Sequence, residues 1–521
     1  MIELLGRYVG QVRDIQVAMD LYGERARSPT HGGHLETRKF KVRWARYAIS
    51  SVRNIYRTCW TWRQKGASFA ACSILQKIRR FVRWIASIFG CHPRPSRRSI
   101  KRGARVPAMS PETPGLPRPS RKSSNGTMLW STTKPLSGSV MPNFYEFFAG
   151  GGMARAGLGS DWTCLFANDF DHKKGLAYQA NWGTGGELKV GDVRQVTVDE
   201  LSGYADLIWG SFPCQDLSLA GGGAGLKGER SGTFYPFWDV ITGLIDDNRA
   251  PKIIAIENVC GTLTSHGGRD FEAICKTFGE AGYRYGALII NASLFVPQSR
   301  PRLFVIGVRD DVTIDPSLLS PEPIEPFHTL GLRRAVDGVS SRARKNMLWW
   351  NLPTPPRRKN SFADIIEENP SSVDWHTAAE TKQILAMMSP VNKAKVEAAK
   401  RSGRRMVGGV YKRTRLDENG VKVQRAEIRF DDVAGCLRTP AGGSSRQTIV
   451  VVDGNKIRSR LISSRETARL MGLDDAYKLP KKYNEAYHLT GDGVAVDVVR
   501  HLARYLLEPL LDVCAAAEKA A

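Results

Sequence analysis

From residue 143 onward, short apolar runs alternate with polar stretches long enough to form helices. This alternation predicts an α/β fold built on a parallel, doubly wound sheet with helices on both faces. We interpret the last run as the hairpin partner of the run before it, because only a short loop separates the two. The six predicted strands are 144–148, 164–167, 207–209, 253–256, 287–290 and 303–308.

The alternation stops between residue 309 and about residue 429, which indicates a smaller second region. Two basic clusters lie in it, Arg357–Lys359 and Arg401–Arg405, together with the pair Trp349–Trp350. Basic side chains contact phosphates and can read base edges, although such clusters are more often simply solvated. Helical spacing returns at 464–473, and an apolar helix is predicted from residue 495 to about residue 507.

Residues 1–140 carry most of the net charge of +25, with 27 Lys and Arg against 6 Asp and Glu. The stretch 73–89 could form a basic amphipathic helix, a type that binds membrane surfaces or polyphosphates. Residues 91–142 have the composition of a disordered linker. A third interpretation is an over-extended reading frame, with translation beginning at Met141. We favour disorder or over-extension and assign this segment no function.

The composition excludes several classes of protein. A chain of 521 residues is long enough for two or three domains. No uninterrupted apolar run approaches 18 residues and charges interrupt the first 20, so neither a transmembrane helix nor a secretory signal is expected. The nine cysteines form no CxxC pair, which favours a reduced compartment and argues against structural zinc.

Cys214 lies on a loop that directly follows the predicted strand 207–209. Open α/β sheets bind ligands at the carboxyl ends of their strands. Pro213 fixes its own φ and biases Phe212 toward an extended backbone, so the loop is stiff. Free cysteine is often only a small buried residue, and the Pro-Cys pair alone leaves both interpretations open. The glycine-rich segment 221–225 follows and could close over a substrate.

Glu257 follows the next predicted core strand, 253–256, so the thiol and this carboxyl group are expected at the same edge of the sheet. A thiolate that can add to an electron-poor carbon, beside an acid that can donate a proton, is a pairing typical of covalent catalysis. Arg300 and Arg302 precede the last strand, and in an extended segment their side chains point the same way. Arg302 can reach a base carbonyl or hold a carboxylate, and the alternative is a solvated pair.

The glycine loop 150–152 follows the first strand and leads into a helix. Glycines allow close backbone approach to a ligand and expose N–H groups at a helix N-terminus, although a lone glycine run is more often a turn. Asp169 follows the second strand, where a carboxylate can accept hydrogen bonds from a ribose and Phe170 can stack on adenine. Asp169 and Asp192 could each be a helix cap instead.

In their order and spacing, these segments resemble the conserved blocks of the DNA (cytosine-5)-methyltransferase family. The resemblance spans residues 141–509 and implies a Rossmann-like methyltransferase sheet, a smaller target-recognition domain and methylation of cytosine in DNA. The blocks are FYEFFAGGGMARAGL from Phe144, PCQ from Pro213, ENV from Glu257, QSRPRLFVIG from Gln298 and GDGVAV from Gly491.

The resemblance also implies a role for individual residues. Cys214 would be the nucleophile and Glu257 the contact to N3 and proton donor, while Arg302 contacts the cytosine O2 and Arg300 supports the site. S-adenosylmethionine is the expected co-substrate, and no metal is expected. Many family members have Asn in place of Asp492 and Ser in place of Gly493. The residues expected to bind the co-substrate are Phe148, Ala149, Gly150, Gly152, Asp169, Phe170, Asp192, Val193, Pro213, Phe234, Asp492 and Val494.

The predicted function is methylation of C5 of cytosine in a specific duplex DNA sequence, through a covalent Cys–C6 adduct on a flipped base. Two alternatives stay open: an RNA (tRNA) cytosine-5 methyltransferase, and a non-catalytic nucleic-acid-binding protein on the same scaffold. The basic insert of about 120 residues favours duplex DNA. The joint presence of Cys214, Glu257 and Arg302 favours catalysis.

We therefore predict four regions: the extension 1–140, a catalytic domain at 141–310, a target-recognition region at 311–435, and a return to the catalytic domain at 436–521. The expected partner is double-stranded DNA, and a cognate restriction endonuclease is a further candidate. We expect a cytoplasmic prokaryotic protein that is associated with DNA, acts as a monomer and binds no membrane.

Overall fold

Two β-sheets organise the part of the chain that the structure describes. This computed structural model describes residues 141–213, 226, 231–416, 420–438 and 446–513. The strands are β1 (Asn143–Phe147), β2 (Thr163–Asp169), β3 (Leu188–Val190), β4 (Leu207–Gly210), β5 (Ile253–Val259), β6 (Tyr283–Asn291), β7 (Pro301–Arg309), β8 (Met347–Leu348), β9 (Met406–Leu416), β10 (Lys422–Arg429), β11 (Thr448–Asp453) and β12 (Lys456–Leu461).

The helices of the same residues follow the strands in the expected alternation. They are α1 (Met153–Leu158), α2 (His172–Trp182), α3 (Phe234–Asp246), α4 (Arg269–Glu280), α5 (Leu330–Gly338), α6 (Ser341–Arg344), α7 (Ala378–Ala386), α8 (Pro390–Arg401), α9 (Ser464–Arg469), α10 (Tyr483–Asp492) and α11 (Val496–Leu502). None of the helices in these residues is long and apolar enough to cross a membrane.

The larger sheet has eight strands in the order β3-β2-β1-β4-β5-β7-β6-β8. Strand β1 pairs in parallel with β2 on one side and with β4 on the other, which creates the topological switch point where such sheets bind ligands. Strand β7 is antiparallel to both β5 and β6, so the predicted hairpin of β6 and β7 is confirmed. The amino end of β7 therefore lies beside the carboxyl end of β5.

Helices cover both faces of this sheet, as the alternation predicts. Successive side chains of a strand point to opposite faces. In β4, Leu207 and Trp209 face a core that includes α1 and α11, whereas Ile208 faces a core that includes α3 and α4. Because both faces are buried, β4 reads as a continuous apolar run rather than an alternating one.

All six predicted strands are present in the large sheet, whereas its two short edge strands and the four strands of the smaller sheet were not predicted. Strands β3 and β8 have three and two residues, too few for a recognisable period. The predicted C-terminal helix is α11 followed by a π-helical turn, Ala503–Leu507. It packs closely on α1, since a Cβ atom added at Gly157 would lie 2.4 Å from the Cβ of Val499.

The smaller sheet has the order β10-β9-β11-β12, and all of its pairings are antiparallel. Helices α7 and α8 contribute to its own core, which includes Val410, Ile428 and Val450. Because β11 pairs with β9, this sheet extends beyond the predicted domain boundary at residue 435. Sequence alternation does not reveal such a long-range pairing.

Candidate active site

The register between β5 and β7 brings the predicted acid and one predicted arginine together. Val259 of β5 pairs with Arg302 of β7. Glu257 is two residues before Val259 in β5, so its side chain points to the same face of the sheet as the side chains of Val259 and Arg302. Arg302 Nε lies 3.0 Å from Glu257 Oε1, and both side chains are mostly buried. This ion pair is at the carboxyl edge of the sheet, next to the end of β4.

The surroundings of Glu257 make its carboxyl group easier to protonate than an exposed glutamate. Burial raises the pKa of Glu257, and this effect exceeds the opposing effects of Arg302, Arg300 and the Ser211 hydroxyl, which hydrogen-bonds to the carboxylate. A carboxyl group with a raised pKa can donate a proton at a pH where an exposed glutamate is already ionised.

Cys214 lies outside the described residues, as does the glycine-rich segment 221–225. The residues that lead to Cys214 are held by β5. Asn258 Nδ2 donates to the Phe212 carbonyl at 3.1 Å, and the Phe212 ring packs on Phe234 with centroids 5.2 Å apart. Pro213, next to Cys214, is half-buried.

Arg300 is almost completely buried and connects three segments of the chain. Its guanidinium donates to the carbonyls of Leu437 (3.0 Å), Gly491 (2.9 Å) and Gly493 (2.7 Å). The nearby Gln298 accepts from Leu437 N–H at 3.0 Å and donates to the Leu470 carbonyl at 2.7 Å. These contacts tie the QSRPR segment to the C-terminal part of the chain.

Cys436 places a second thiol close to the two arginines. Its Sγ atom lies 3.5 Å from Arg300 Nη1 and 4.0 Å from both terminal nitrogens of Arg302. Burial raises the pKa of Cys436, but Arg300 and Arg302 outweigh it, so the net pKa is lowered. A thiolate here would help to orient Arg302.

The glycine loop after β1 has a left-handed backbone at three positions: Phe148 (φ 58°), Gly150 (58°) and Gly152 (76°). Gly150 N–H donates to Asp169 Oδ2 at 2.8 Å. The Gly151 carbonyl accepts from Trp182 Nε1 at 3.0 Å and from Tyr477 Oη at 2.7 Å. The loop is therefore held from behind by two aromatic side chains.

Open space lies on the other side of this loop. A Cβ atom added at Gly150 or Gly191 would meet no heavy atom within 4 Å, whereas one at Gly151 would lie 2.2 Å from Tyr477 Oη. Phe170 is 76% exposed, an unusual state for an aromatic ring beside a buried strand. The loop backbone and the Phe170 ring are therefore accessible to a ligand at the switch point.

The predicted carboxylates already have protein partners. Asp169 accepts from Asp171 N–H at 2.8 Å as well as from Gly150, and burial raises its pKa. Asp192 caps the 3-10 turn that begins at Val193 and forms an ion pair with Arg194 at 3.0 Å. Asp192 therefore acts as a cap, as one interpretation of the sequence proposed. This role leaves the exposed part of its carboxylate able to accept a further hydrogen bond.

The apolar residues predicted to contact the co-substrate lie mostly in the core. Ala149, Val193 and Val494 are buried. Phe234 has no exposed surface, because its ring is enclosed by neighbours that include Phe212 and Trp238. In the structure the Phe234 ring supports the segment before Cys214, and its contact with the co-substrate stays a prediction.

Several residues of the site had no role in the sequence prediction. Ser211, Asn258 and Gln298 lie inside or next to the conserved blocks, where a polar residue flanking an assigned position was the available signal. Trp182 and Tyr477 lie outside every block and reach the glycine loop only through the fold. In the described part of the chain, no group of three or more His, Cys, Asp or Glu is placed to hold a metal ion.

The sheet order with its antiparallel β6–β7 pair, and the glycine loop beside Asp169, define the class of S-adenosylmethionine-dependent methyltransferases. Comparison with known proteins narrows this class. A family model for C-5 cytosine-specific DNA methylases matches residues 142–508, and the chain belongs to that family. It is a DNA (cytosine-5)-methyltransferase.

Similar proteins include several bacterial Type II methyltransferases. M.HhaI of Haemophilus parahaemolyticus is 23% identical over 69% of this chain and 92% of its own length. M.HpaII of Haemophilus parainfluenzae is 25% identical over 70% of this chain and 89% of its own. M.NgoFVII of Neisseria gonorrhoeae is 30% identical over 45% of this chain and 64% of its own.

Proposed function

We propose that this protein methylates C5 of cytosine within a specific duplex DNA sequence, through a covalent bond between Cys214 and C6 of a base flipped out of the helix. The observation that carries the proposal is the buried ion pair of Glu257 and Arg302 at the edge where β4 leads into the Cys214 loop. Burying a carboxylate and a guanidinium costs free energy, so a chemical role explains this pair better than packing alone.

The chemistry follows from these residues. Addition of the Cys214 thiolate to C6 makes C5 nucleophilic, and a proton from Glu257 at N3 neutralises the charge that develops on the ring. Arg302, held by Glu257, can donate to the base carbonyl O2. Transfer of the methyl group to C5 leaves S-adenosylhomocysteine. A water molecule then takes the C5 proton as the bond between C6 and the Cys214 sulfur breaks, and N3 returns its proton to Glu257, which restores the aromatic ring and the thiolate. Free thiols have a pKa of about 8.5, so Cys214 needs a cationic neighbour, and Arg302 lies at the same edge.

S-adenosylmethionine supplies the methyl group, which it carries on a sulfonium centre. The residues available to hold it are Gly150 and its neighbours in the glycine loop, the carboxylates of Asp169 and Asp192, and the exposed ring of Phe170. Asp492 and Val494 are further candidates, and Arg300 holds the backbone on both sides of Asp492. We propose that the reaction needs no metal.

We propose that the small sheet with α7 and α8, together with the preceding residues from 311, recognises the DNA target. Lys412, Arg413 and Arg415 of β9 are exposed, and Glu427 pairs with the two arginines. Exposed basic residues on such a surface can contact phosphates or base edges. We further propose a cytoplasmic monomer, with a restriction endonuclease of the same target as the partner class to search for.

Substitution of the nucleophile tests this proposal. Cys214→Ser should abolish methyl transfer to duplex DNA while leaving DNA binding measurable by electrophoretic mobility shift, because an alcohol is a far weaker nucleophile than a thiolate. Cys164→Ser alters a half-buried thiol at the amino end of β2, away from the carboxyl ends of the strands where the site lies, and should retain activity. Methylation by Cys214→Ser at the wild-type rate would refute the nucleophile assignment.

A trapping experiment tests the covalent step itself. DNA with 5-fluorocytosine at the target position cannot lose a C5 proton, so protein and DNA should remain covalently joined when S-adenosylmethionine is present. The adduct is detected by denaturing gel electrophoresis and should be absent for Cys214→Ser. Parallel methylation assays on duplex DNA and on tRNA discriminate the RNA alternative: activity on tRNA alone would overturn the DNA assignment.

A further inference from the structure

An ion pair with only one partner in a family block lies beside the proposed co-substrate site. Lys174 is in the first turn of α2, and Asp492 is the last residue of α10. Lys174 Nζ lies 2.7 Å from Asp492 Oδ2, and the two residues are 318 positions apart in the chain. The pair therefore connects the segment after β2 to the GDGVAV segment.

Both ends of the pair are fixed by residues already described. The carbonyls of Gly491 and Gly493, on either side of Asp492, accept hydrogen bonds from Arg300. Lys174 is fixed in position by α2. The Asp171 side chain caps this helix, and the Asp171 N–H donates a hydrogen bond to Asp169. The ion pair is thus built into the wall next to the Asp169 carboxylate and the glycine loop.

The charges around Lys174 explain why a cation is needed there. Its ammonium group interacts with Asp492 and also with Asp169 and Asp171, and its pKa is raised because these carboxylates outweigh the effect of burial. Many related sequences have a neutral Asn in place of Asp492. With Asp at this position, the wall carries a negative charge in addition to Asp169 and Asp171, and Lys174 offsets it.

We propose that Lys174 is a positioning residue for S-adenosylmethionine. It holds the Asp492 carboxylate in place and offsets the negative charge of the carboxylates between α2 and α10. This inference rests on the proposed function, since it concerns the same co-substrate site. Lys174 is 19% exposed, which limits solvent screening of the pair.

A second ion pair between the same two helices provides a matched control. Lys173 Nζ lies 3.1 Å from Glu485 Oε1, and Lys173 is 66% exposed. Like Lys174, it connects α2 to α10, but it lies on the solvent side. Any effect that arises only from fastening the two helices together should appear in both pairs, whereas an effect on the co-substrate should appear only in the Lys174 pair.

The test is the dissociation constant for S-adenosylmethionine, measured by isothermal titration calorimetry on the full chain. Lys174→Met should weaken binding about tenfold, or about 1.4 kcal/mol. Asp492→Asn should recover much of this loss when combined with Lys174→Met, because the carboxylate left unpaired is then removed. Lys174→Arg should stay within threefold of the wild type, and Lys173→Met within twofold. Thermal unfolding checks that each variant is folded.

Two results would overturn the inference. The first is that Lys174→Met binds S-adenosylmethionine as tightly as the wild type. The second is that the losses of binding free energy of Lys174→Met and Asp492→Asn simply add in the double variant. A lower unfolding temperature for Lys174→Met with unchanged affinity would show a purely structural pair, and it too would overturn the inference. Failure of the wild-type protein to bind S-adenosylmethionine would instead contradict the proposed function, so the two failures are distinguishable.

Discussion

Two adjacent glycines of the loop after β1 should respond to the same substitution in opposite ways. Gly150 has φ 58°, and a Cβ atom there meets nothing within 4 Å. At Gly151, a Cβ atom would lie 2.2 Å from Tyr477 Oη and 2.9 Å from Leu489 Cδ1. Alanine at position 150 therefore enters the proposed co-substrate space, whereas alanine at position 151 collides with the core.

The magnitudes follow from these surroundings. Gly150→Ala should cost about 1–2 kcal/mol of folding stability, the penalty of a left-handed backbone for an L-residue. Gly151→Ala should cost about 1–3 kcal/mol for overpacking and about 1 kcal/mol more for the hydrogen bond from Tyr477 to the Gly151 carbonyl. Gly150→Ala should nevertheless weaken S-adenosylmethionine binding at least tenfold, because its methyl group occupies the space next to Asp169.

Urea unfolding gives the stabilities, and calorimetric titration at a temperature where both variants are folded gives the affinities. The expected pattern is a stable Gly150→Ala protein that binds poorly and a less stable Gly151→Ala protein that retains binding within about threefold of the wild type. The reasoning is refuted if Gly150→Ala binds normally, or if Gly151→Ala is the more stable of the two variants.

Three further predictions concern the frame of the site. Arg460 and Glu466 form a completely buried ion pair at 2.5 Å that joins β12 to α9. Arg460→Ala should lower the free energy of unfolding by about 3–5 kcal/mol, because it leaves a buried charge unpaired. An unchanged urea midpoint would contradict this. Burial raises the pKa of Glu146 from 4.5 to about 8, so the folded protein keeps a proton that the unfolded chain releases and wild-type stability should fall as pH rises from about 4.5 to about 8. Glu146→Gln cannot titrate at this position, so its free energy of unfolding relative to the wild type, measured with urea, should increase across that pH range. A difference that does not depend on pH would argue against a buried proton. A protein that begins at Met141 should fold and methylate DNA at the rate of the full chain, because both sheets lie within it, and loss of methylation would show that residues 1–140 contribute.

Local sequence was sufficient for the central strands of the large sheet. A strand buried on both faces needs a continuous apolar run, and Ile253–Ile256 of β5 is such a run. The hairpin of β6 and β7 followed from a short connection. The weaker predictions were at the periphery: β3 and β8 are too short to show a period, and β11 pairs with β9 across a large sequence separation.

The residue types of the site were also readable in the sequence, because chemistry limits which side chains can serve at the end of a strand. The sequence by itself determined which segments form the core strands, and it placed Glu257 at the end of one and Arg302 at the start of another. Only the tertiary structure decided that these two side chains meet, because an antiparallel register between β5 and β7 sets their distance. The same holds for Lys174 with Asp492: no local pattern encodes a contact between residues 318 positions apart, and it forms only when packing brings α2 and α10 together.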